Sequence, residues 1–320
     1  MSKYVMLPPI DDLIRGWAHQ LAEALPELDV VVAESDEIAA RELVDADGAY
    51  GWVPPDVLPT VERLRLLQNP FAGPPPGYYY PELADHPVTI CNPRGIYSDH
   101  IAQHILMFML ALSRGLPYWS AAQSQGRWDP QARKRGYVNL AASTVLINGV
   151  GGIGAETARL SAAFGAHVIG VDPRPEQTTP GELVPPSELD RRLPEADFVV
   201  TTVPHTPETE GMWNAARFRA MKNSAYFINI GRGMTAKLDD LTAALEQGEI
   251  AGAGLDVFET EPLPDGHPLW QMENVLITPH VAVADAADIP ERRFALILEN
   301  ARRLIDGGEF VNVVDKTKWY

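Results

Sequence analysis

The sequence predicts an α/β protein built from two parallel sheets. Strand and helix patterns alternate over about the first hundred residues, and a second alternating series starts near Ser143. Such alternation is typical of βαβ units with right-handed crossovers. The strands of the second series are almost continuously apolar, which indicates helices on both sheet faces. At 320 residues the chain exceeds the usual size of one hydrophobic core, so two domains are expected.

The first series contains short strands separated by amphipathic helices. Apolar residues recur at helical spacing in DDLIRGWAHQLAEAL and DEIAARELV, whereas the strands are compact apolar runs. A long apolar helix is predicted over about 98–113. The strands, in order, are YVMLPP, DVVVAES, ADGAYGW, ERLRLLQ and VTICNP.

The second series follows the same pattern and ends with a helix over about 291–306. Helices are predicted in ETARLSAAFG and LDDLTAALEQG. The strands are STVLING, HVIGVD, FVVTTVP, AYFINIG, AGAGLDVF and NVLITPH.

Charge and cysteine content narrow the classes of partner. With 43 acidic and 26 basic residues the net charge is −17, which opposes nonspecific binding to nucleic acid or anionic membranes. Cys91 is the single cysteine and cannot form an internal disulfide, and the start lacks the pattern of a signal peptide. No apolar run approaches the roughly 20 residues that cross a bilayer. We therefore expect a cytoplasmic protein that acts on a small molecule and binds neither nucleic acid nor membrane.

Glycines follow the first strand of the second series at a spacing typical of dinucleotide binding. Gly149, Gly151 and Gly154 lie between a predicted strand and a predicted helix, and Asp172 ends the next strand. Such glycines allow a tight turn, close approach to a pyrophosphate and helix–strand packing. The carboxylate of Asp172 is expected to accept hydrogen bonds from ribose hydroxyls, which favours NAD. Arg174 leaves NADP open, because a guanidinium can bind a 2′-phosphate.

Further along the chain, polar residues follow the ends of successive predicted strands. They are Arg232 in INIGRG, Asp256 in GLDVF, Glu261 in ETEP and His280 in ITPH. Together with GVGGIG, VPHTPETEGMWN and HPLW, these stretches resemble the D-isomer-specific 2-hydroxyacid dehydrogenases, a family that includes glyoxylate/hydroxypyruvate reductases. The resemblance is dense from about 92 to 280 and weak over the first ninety residues.

The resemblance implies roles for individual residues. Arg232 matches the arginine that binds the carboxylate and carbonyl of a 2-oxo acid, a bidentate role that suits a planar fork. His280 matches the proton donor, and Glu261 matches the carboxylate that holds its tautomer. Cofactor-binding positions are matched by Gly149, Gly151, Gly152, Ile153, Gly154, Asp172, Val203, Ile230 and Asp256.

The family resemblance also implies a fold, a domain layout and an assembly. The expected architecture is a Rossmann NAD-binding domain over 98–287, inserted into a flavodoxin-like substrate-binding domain formed by 1–97 and 288–320. The apolar helix and the following LPYWSAAQSQGRWD resemble the dimerisation element of the family, so a homodimer is expected. The same apolar helix is also compatible with the buried core of a monomer.

Other functions are weighed against reduction of a 2-oxo acid. Corepressors exist on this scaffold, so an NADH-sensing interaction protein is the alternative. Oxidation of formate or phosphite ranks lower, because formate dehydrogenases usually have glutamine where Glu261 stands. His100 and His104 have the i, i+4 spacing of a zinc pair but lack HExxH and a third ligand, so no metal is expected.

One stretch, NPFAGPPPGYYY, departs from the family pattern. Phe71, Ala72 and Gly73 fall where the family has a glycine-rich loop whose N–H groups bind the substrate carboxylate. Prolines 74–76 cannot donate hydrogen bonds and are expected to stiffen the loop, which leaves Ala72 and Gly73 as donors. We hypothesise that Phe71 and one or more of the following tyrosines shape a pocket for larger or aromatic 2-oxo acids.

Overall fold

The protein forms two compact α/β units in a computed structural model that describes residues 1–73, 77–128, 130, 137–177, 179–284 and 286–316. The discontinuous unit comprises Met1–Ile96 and Ala287–Tyr320, and the continuous unit comprises Tyr97–Ala286. Each contains one sheet in which all strand pairs are parallel. The predicted fold class is therefore confirmed. Prolines 74–76, which we expected to stiffen the loop, lie outside the described residues.

The discontinuous unit has a five-stranded sheet in the order β2-β1-β3-β4-β5. From β1 the chain first adds β2 on one side and then returns to add β3 on the other side. The direction in which strands are added therefore reverses between β1 and β3. Its elements are β1 (Ser2–Met6), α1 (Asp12–Ala24), β2 (Leu28–Val32), α2 (Asp36–Leu43), β3 (Gly48–Tyr50), β4 (Leu66–Gln68), α3 (Pro81–Asp85), β5 (Thr89–Cys91) and α10 (Ile289–Asp306), with a 3₁₀ helix at Leu58–Thr60.

Local capping and burial explain why these helices form where they do. The Asp11 carboxylate accepts a hydrogen bond of 2.8 Å from the Ile14 N–H and so begins α1. One face of α1 buries Trp17 and Leu21 in the core. The C-terminal α10 is held in the same unit because the Asn300 side-chain amide, fully buried, donates to Gln68 Oε1 at 2.9 Å.

The continuous unit has a seven-stranded sheet in the order β12-β11-β10-β9-β6-β7-β8, which reverses between β6 and β9. Its strands are β6 (Thr144–Asn148), β7 (His167–Val171), β8 (Glu182–Val184), β9 (Phe198–Thr201), β10 (Tyr226–Asn229), β11 (Gly252–Leu255) and β12 (Val275–Ile277). Its helices are α4 (Ser98–Arg114), α5 (Leu116–Ser124), α6 (Gly152–Ala163), α7 (Leu189–Arg192), α8 (Ala215–Ala220) and α9 (Leu238–Glu246), with 3₁₀ helices at Leu140–Ala142, Pro186–Glu188, Leu193–Glu195, Gly233–Thr235 and Pro268–Gln271.

The apolar helix α4 is part of the core of the continuous unit. Ile105, Phe108 and Met109 are fully buried and belong to one cluster with side chains of β6, β9 and β10. Met107, on the other side of α4, is 43% exposed. Within the described ranges, no helix combines the length and apolar character that a membrane span requires.

The single cysteine gives a direct probe of how tightly the discontinuous unit is packed. Burial raises the pKa of the Cys91 thiol to about 12, although Arg94 partly offsets this effect. Because the thiolate is the reactive form, we expect a disulfide reagent at mildly alkaline pH to label the native protein at least about 10³-fold more slowly than the denatured protein. Stopped-flow labelling measures both rates, and equal rates would contradict this packing.

Candidate functional site

The glycine loop between β6 and α6 has the geometry that a bound pyrophosphate requires. Gly149 has a φ of +98°, a conformation that side-chain-bearing residues rarely adopt. A Cβ on Gly154 would lie 1.9 Å from the Gly149 carbonyl oxygen, so only glycine fits there. A Cβ on Gly151 would meet Arg174 Nη2 at 3.8 Å, an ordinary van der Waals contact, so the position is not crowded by the backbone.

The start of α6 offers backbone donors next to this loop. Gly151 is the N-cap residue and its position provides no side-chain hydrogen bond. Gly152 and Ile153 form the first turn, where N–H groups have no intrahelical acceptor and favour an anion. The residues present therefore fit a dinucleotide phosphate.

Asp172, at the end of β7, is buried and already fully hydrogen-bonded. Its Oδ1 accepts from Arg174 N at 3.0 Å and Arg174 Nε at 2.8 Å, and its Oδ2 accepts from Val150 N at 2.8 Å and Arg174 Nη2 at 3.0 Å. Burial opposes ionisation, but these hydrogen bonds outweigh it and lower the pKa of the Asp172 carboxyl. A carboxylate has about four lone-pair sites, so a ribose hydroxyl must compete with these donors.

Val203 and Ile230 are two further predicted cofactor positions, one beside the glycine loop and one in the core cluster that includes β6. Val203 follows β9, and its Cγ1 would lie 3.0 Å from a Cβ on Gly149. Ile230 follows β10 and is 5% exposed in the core cluster of α4 and β6. Both follow strand ends on the edge at which open parallel sheets bind ligands.

Arg232 follows β10 and is held by close backbone packing. A Cβ on Gly233 would lie 1.8 Å from the Phe258 carbonyl oxygen, so glycine is required beside the arginine. Among the described residues, the guanidinium donates one hydrogen bond, from Nη1 to the Gly231 carbonyl at 2.8 Å, and has no carboxylate within ion-pair distance. Burial lowers the pKa of Arg232, and the charge of Glu261 partly offsets this. Most of its five donors remain available to an anion.

His280 and Glu261 form a hydrogen-bonded pair. His280 Nδ1 lies 2.9 Å from Glu261 Oε2, while Glu261 Oε1 accepts from the Phe258 N–H at 2.9 Å. The carboxylate is thus fixed on both oxygens and orients the imidazole through Nδ1, and Nε2 has no hydrogen-bond partner among the residues that the structure describes. The φ of His280 is +56°, which is rare for a residue with a side chain and is found at functional sites.

The strained backbone at His280 is stabilised by Asp256. This buried carboxylate accepts from the N–H groups of Val281 at 2.9 Å and Ala282 at 3.2 Å. It also accepts from the Thr278 hydroxyl at 2.6 Å, and His104 Nε2 lies 2.9 Å from the same hydroxyl. Asp256 thus organises the segment around His280, and its contact with the nicotinamide stays a prediction.

Thr278 and His104 are supporting residues that sequence reasoning missed. Burial lowers the pKa of His104, and the nearby charge of Asp256 partly offsets this, so the ring is a neutral hydrogen-bonding partner near neutral pH. The available signal was the position of Thr278 two residues before His280 in NVLITPH.

In the discontinuous unit, Phe71, Ala72 and Gly73 form a loop after β4. The Phe71 N–H donates to Asn69 Oδ1 at 2.8 Å, and Asn92 Nδ2 donates to the Ala72 carbonyl at 3.2 Å. Both asparagines are buried, so they fix the path of the loop. The N–H groups of Ala72 and Gly73 have no acceptor in the described part of the chain.

A glycine loop suited to a dinucleotide, an arginine without a carboxylate partner among the described residues and a histidine oriented by a glutamate, all at the ends of parallel strands, indicate the class of dinucleotide-dependent oxidoreductases. Residues 106–282 match the family model "D-isomer specific 2-hydroxyacid dehydrogenase, NAD binding domain". The chain belongs to this family.

Individual relatives agree with this assignment. Over 210 residues the chain is 34% identical to a glyoxylate reductase of Thermofilum pendens, a match that covers 64% of this chain and 61% of the relative. The chain spans a similar share, 59%, of two further curated relatives, a mouse glyoxylate reductase/hydroxypyruvate reductase and a Methanocaldococcus jannaschii D-3-phosphoglycerate dehydrogenase.

Solved structures match over the full chain. A D-isomer specific 2-hydroxyacid dehydrogenase from Xanthobacter autotrophicus Py2, in complex with NADPH and MES, has a TM-score of 0.81 at 32% identity and covers 100% of this chain and 99% of its own. An NADPH-dependent glyoxylate/hydroxypyruvate reductase from Sinorhizobium meliloti, in complex with NADP and sulfate, has a TM-score of 0.82 at 28% identity, with both chains covered at 100%.

Proposed function

We propose that the protein is an NAD(P)H-dependent reductase of 2-oxo acids to D-2-hydroxy acids, working in either direction. The observation that carries this proposal is the His280–Glu261 pair at 2.9 Å, in the same unit as Arg232, whose guanidinium has no carboxylate partner among the described residues. The relatives described above are reductases and dehydrogenases, which favours an enzyme over an NADH-sensing corepressor.

Each residue has a chemical role in the proposed reaction. The guanidinium of Arg232 binds the carboxylate and the C2 carbonyl oxygen of the substrate and polarises that carbonyl. When bound, the dinucleotide supplies a hydride to C2. His280 gives the Nε2 proton to the carbonyl oxygen, and Glu261 stabilises the imidazolium through Nδ1. The carbonyl gains one hydride and one proton, which balances its conversion to a secondary alcohol.

The proposed cofactor site is the glycine loop of the continuous unit. Gly149, Gly151 and Gly154 shape the loop, and the N–H groups of Gly152 and Ile153 bind the pyrophosphate. Asp172 and Arg174 contact the adenosine ribose, and Val203, Ile230 and Asp256 line the nicotinamide side. The family model is named for NAD, whereas the two solved structures contain NADPH or NADP.

Steady-state turnover tests the function. The full chain should oxidise NADH or NADPH in the presence of glyoxylate, hydroxypyruvate or a bulkier 2-oxo acid and should reduce NAD(P)⁺ with the matching D-2-hydroxy acid. An absence of turnover across such a panel, with both cofactors and in both directions, would reject the proposal.

The Asp172–Arg174 pair is expected to set the preference between the two cofactors. Asp172→Ser removes a negative charge that repels a 2′-phosphate and releases the guanidinium of Arg174. We expect the ratio of kcat/KM for NADPH to that for NADH to rise by about tenfold or more, equal to about 1.4 kcal/mol. Arg174→Ala is the matched variant and should lower the ratio. Unchanged ratios in both variants would show that the pair does not select the cofactor.

We also propose a homodimer formed through α4 and α5. The apolar side chains of Met107 in α4 and Leu116 in α5, 43% and 54% exposed, support an interface formed by these helices. Light scattering should give about twice the chain mass of 35.1 kDa, and a particle of the single-chain mass would contradict the dimer. A cytoplasmic location without nucleic-acid partners is proposed from the single cysteine and the net charge of −17.

A further inference from the structure

The discontinuous unit contains a cavity of about 510 Å³ at the carboxyl ends of β1, β3 and β4. Residues that follow these three strands line it: Pro9 after β1, Trp52 after β3 and Phe71 after β4. Ile14 of α1 and Tyr78 add to the largely apolar wall, and two residues of opposite charge, Asp11 and Arg293, also line the cavity.

The position of this cavity is that of a ligand site in open parallel sheets. The strand order of this unit reverses between β1 and β3, and the cavity lies beyond the ends of those two strands. Ligands in such sheets bind in the crevice outside the carboxyl ends of the strands at the reversal. Its volume falls within the roughly 300–1,000 Å³ typical of small-molecule pockets.

Hydrogen bonds hold the aromatic wall in place. The Tyr78 hydroxyl donates to the Gly51 carbonyl, and Trp52 Nε1 donates to the Tyr78 carbonyl at 3.3 Å. The Tyr80 hydroxyl donates to the Val53 carbonyl at 2.8 Å, which ties the same two segments together. Tyr78 and Tyr80 therefore fix the wall. Of the three consecutive tyrosines 78–80, Tyr78 is the one that lines the cavity.

Large apolar side chains remain exposed around the cavity. Phe71 is 48% exposed and Trp52 is 39% exposed, although residues of this size are usually buried. Phe71 directly precedes Ala72 and Gly73, whose N–H groups lack acceptors among the described residues. An apolar wall and backbone donors for a carboxylate are thus adjacent in one loop.

We infer that this cavity of the discontinuous unit binds the bulky apolar side chain of an organic acid, and that the acid is a 2-oxo acid such as phenylpyruvate. The inference rests on the proposed function. On C2, glyoxylate carries only hydrogen and hydroxypyruvate only a hydroxymethyl group. Both would therefore leave the cavity nearly empty. One buried methylene changes kcat/KM by about 10–200-fold, so an aryl group should dominate selectivity.

Kinetics with two substrates test the inference. We expect kcat/KM for phenylpyruvate to exceed that for glyoxylate by at least about tenfold. Ile14→Trp fills the cavity from α1 and should lower this preference at least about tenfold. Leu13→Trp places the same side chain on an exposed neighbouring position outside the cavity and should leave the preference unchanged. Equal or better use of glyoxylate by the wild type, or an unchanged preference in Ile14→Trp, would overturn the inference.

A binding measurement separates the cavity from the catalytic proposal. Calorimetric titration of the full chain with D-3-phenyllactate and with glycolate, both in the presence of NADH and again with NADPH so that no turnover occurs, should give tighter binding of phenyllactate, and Ile14→Trp should remove the difference. If phenyllactate binds in this way but no 2-oxo acid is turned over, the proposed function fails and the cavity assignment stands. If turnover occurs but phenyllactate binds no more tightly than glycolate, the cavity assignment fails. Trp52→Ala removes another side chain that lines the cavity, should lower the affinity for phenyllactate, and replaces Ile14→Trp as the test if that variant unfolds.

Discussion

Replacement of His280 by asparagine is expected to lower kcat for 2-oxo acid reduction by about 10²–10⁴-fold, the usual contribution of a general acid. Asparagine keeps a polar group of similar size but has no proton to give to the carbonyl oxygen. Because Arg232 remains in place, KM should change much less than kcat. The decrease in NADH or NADPH absorbance measures both constants.

A second histidine–glutamate pair provides the control for this experiment. His19 Nε2 lies 3.4 Å from Glu23 Oε1 on the exposed surface of α1, so His19→Asn removes a similar pair outside the proposed site. It should leave kcat unchanged. A wild-type kcat in His280→Asn would show that another group delivers the proton.

Replacement of Arg232 by alanine is expected to lower kcat/KM by about 10²–10³-fold or more, as found when a donor to a developing oxyanion is removed. The loss should appear in both kcat and KM, because the guanidinium is proposed to bind the carboxylate and to polarise the carbonyl. Lysine keeps the charge but not the planar fork, so Arg232→Lys should recover only part of the activity. Initial rates with NAD(P)H over a range of 2-oxo acid concentrations measure these effects.

Chemical rescue distinguishes a direct role of Arg232 from a structural one. Added guanidinium ion at non-denaturing concentration should restore part of the activity of Arg232→Ala and none of the activity of His280→Asn. Arg219→Ala, at an exposed arginine of α8, is the matched control and should behave as the wild type. Wild-type kinetics in Arg232→Ala would remove this residue from the substrate site.

Most of the fold could be predicted because buried parallel strands are recognisable as apolar runs. FVVT and YFIN, for example, are completely buried in β9 and β10. The strand β8 was missed because its three residues, Glu182–Val184, are exposed or partly exposed and form a sheet edge. A strand with so few buried side chains leaves little signal in the sequence.

The candidate site could be predicted only in part. The order of strand ends indicated Arg232, Glu261 and His280, and the structure places Glu261 against His280. The hydrogen bonds from the Arg174 guanidinium to the Asp172 carboxylate depend on the side-chain conformation of the arginine. Sequence spacing does not reveal that conformation. The link from His104 to Thr278 likewise depends on packing across 174 residues of sequence.

The cavity of the discontinuous unit illustrates the same limit. Phe71 and the tyrosines were conspicuous in the sequence, but the roles of Pro9, Ile14 and Trp52 were not. These residues meet only because the carboxyl ends of parallel strands lie on one edge of a sheet. The hydroxyl groups of Tyr78 and Tyr80 donate to backbone carbonyls, whereas that of Tyr79 accepts from the Asn69 side-chain amide.

Transfer of isotope from the cofactor to the product tests the proposed reaction most directly. Reduced dinucleotide carrying deuterium at the transferring position of the nicotinamide should be incubated with phenylpyruvate and, separately, with glyoxylate. We expect one deuterium at C2 of the product and, from phenylpyruvate, the D enantiomer of 3-phenyllactate. Consumption of the cofactor without deuterium at C2, formation of the L enantiomer, or no hydroxy acid from any 2-oxo acid would contradict the assigned reaction.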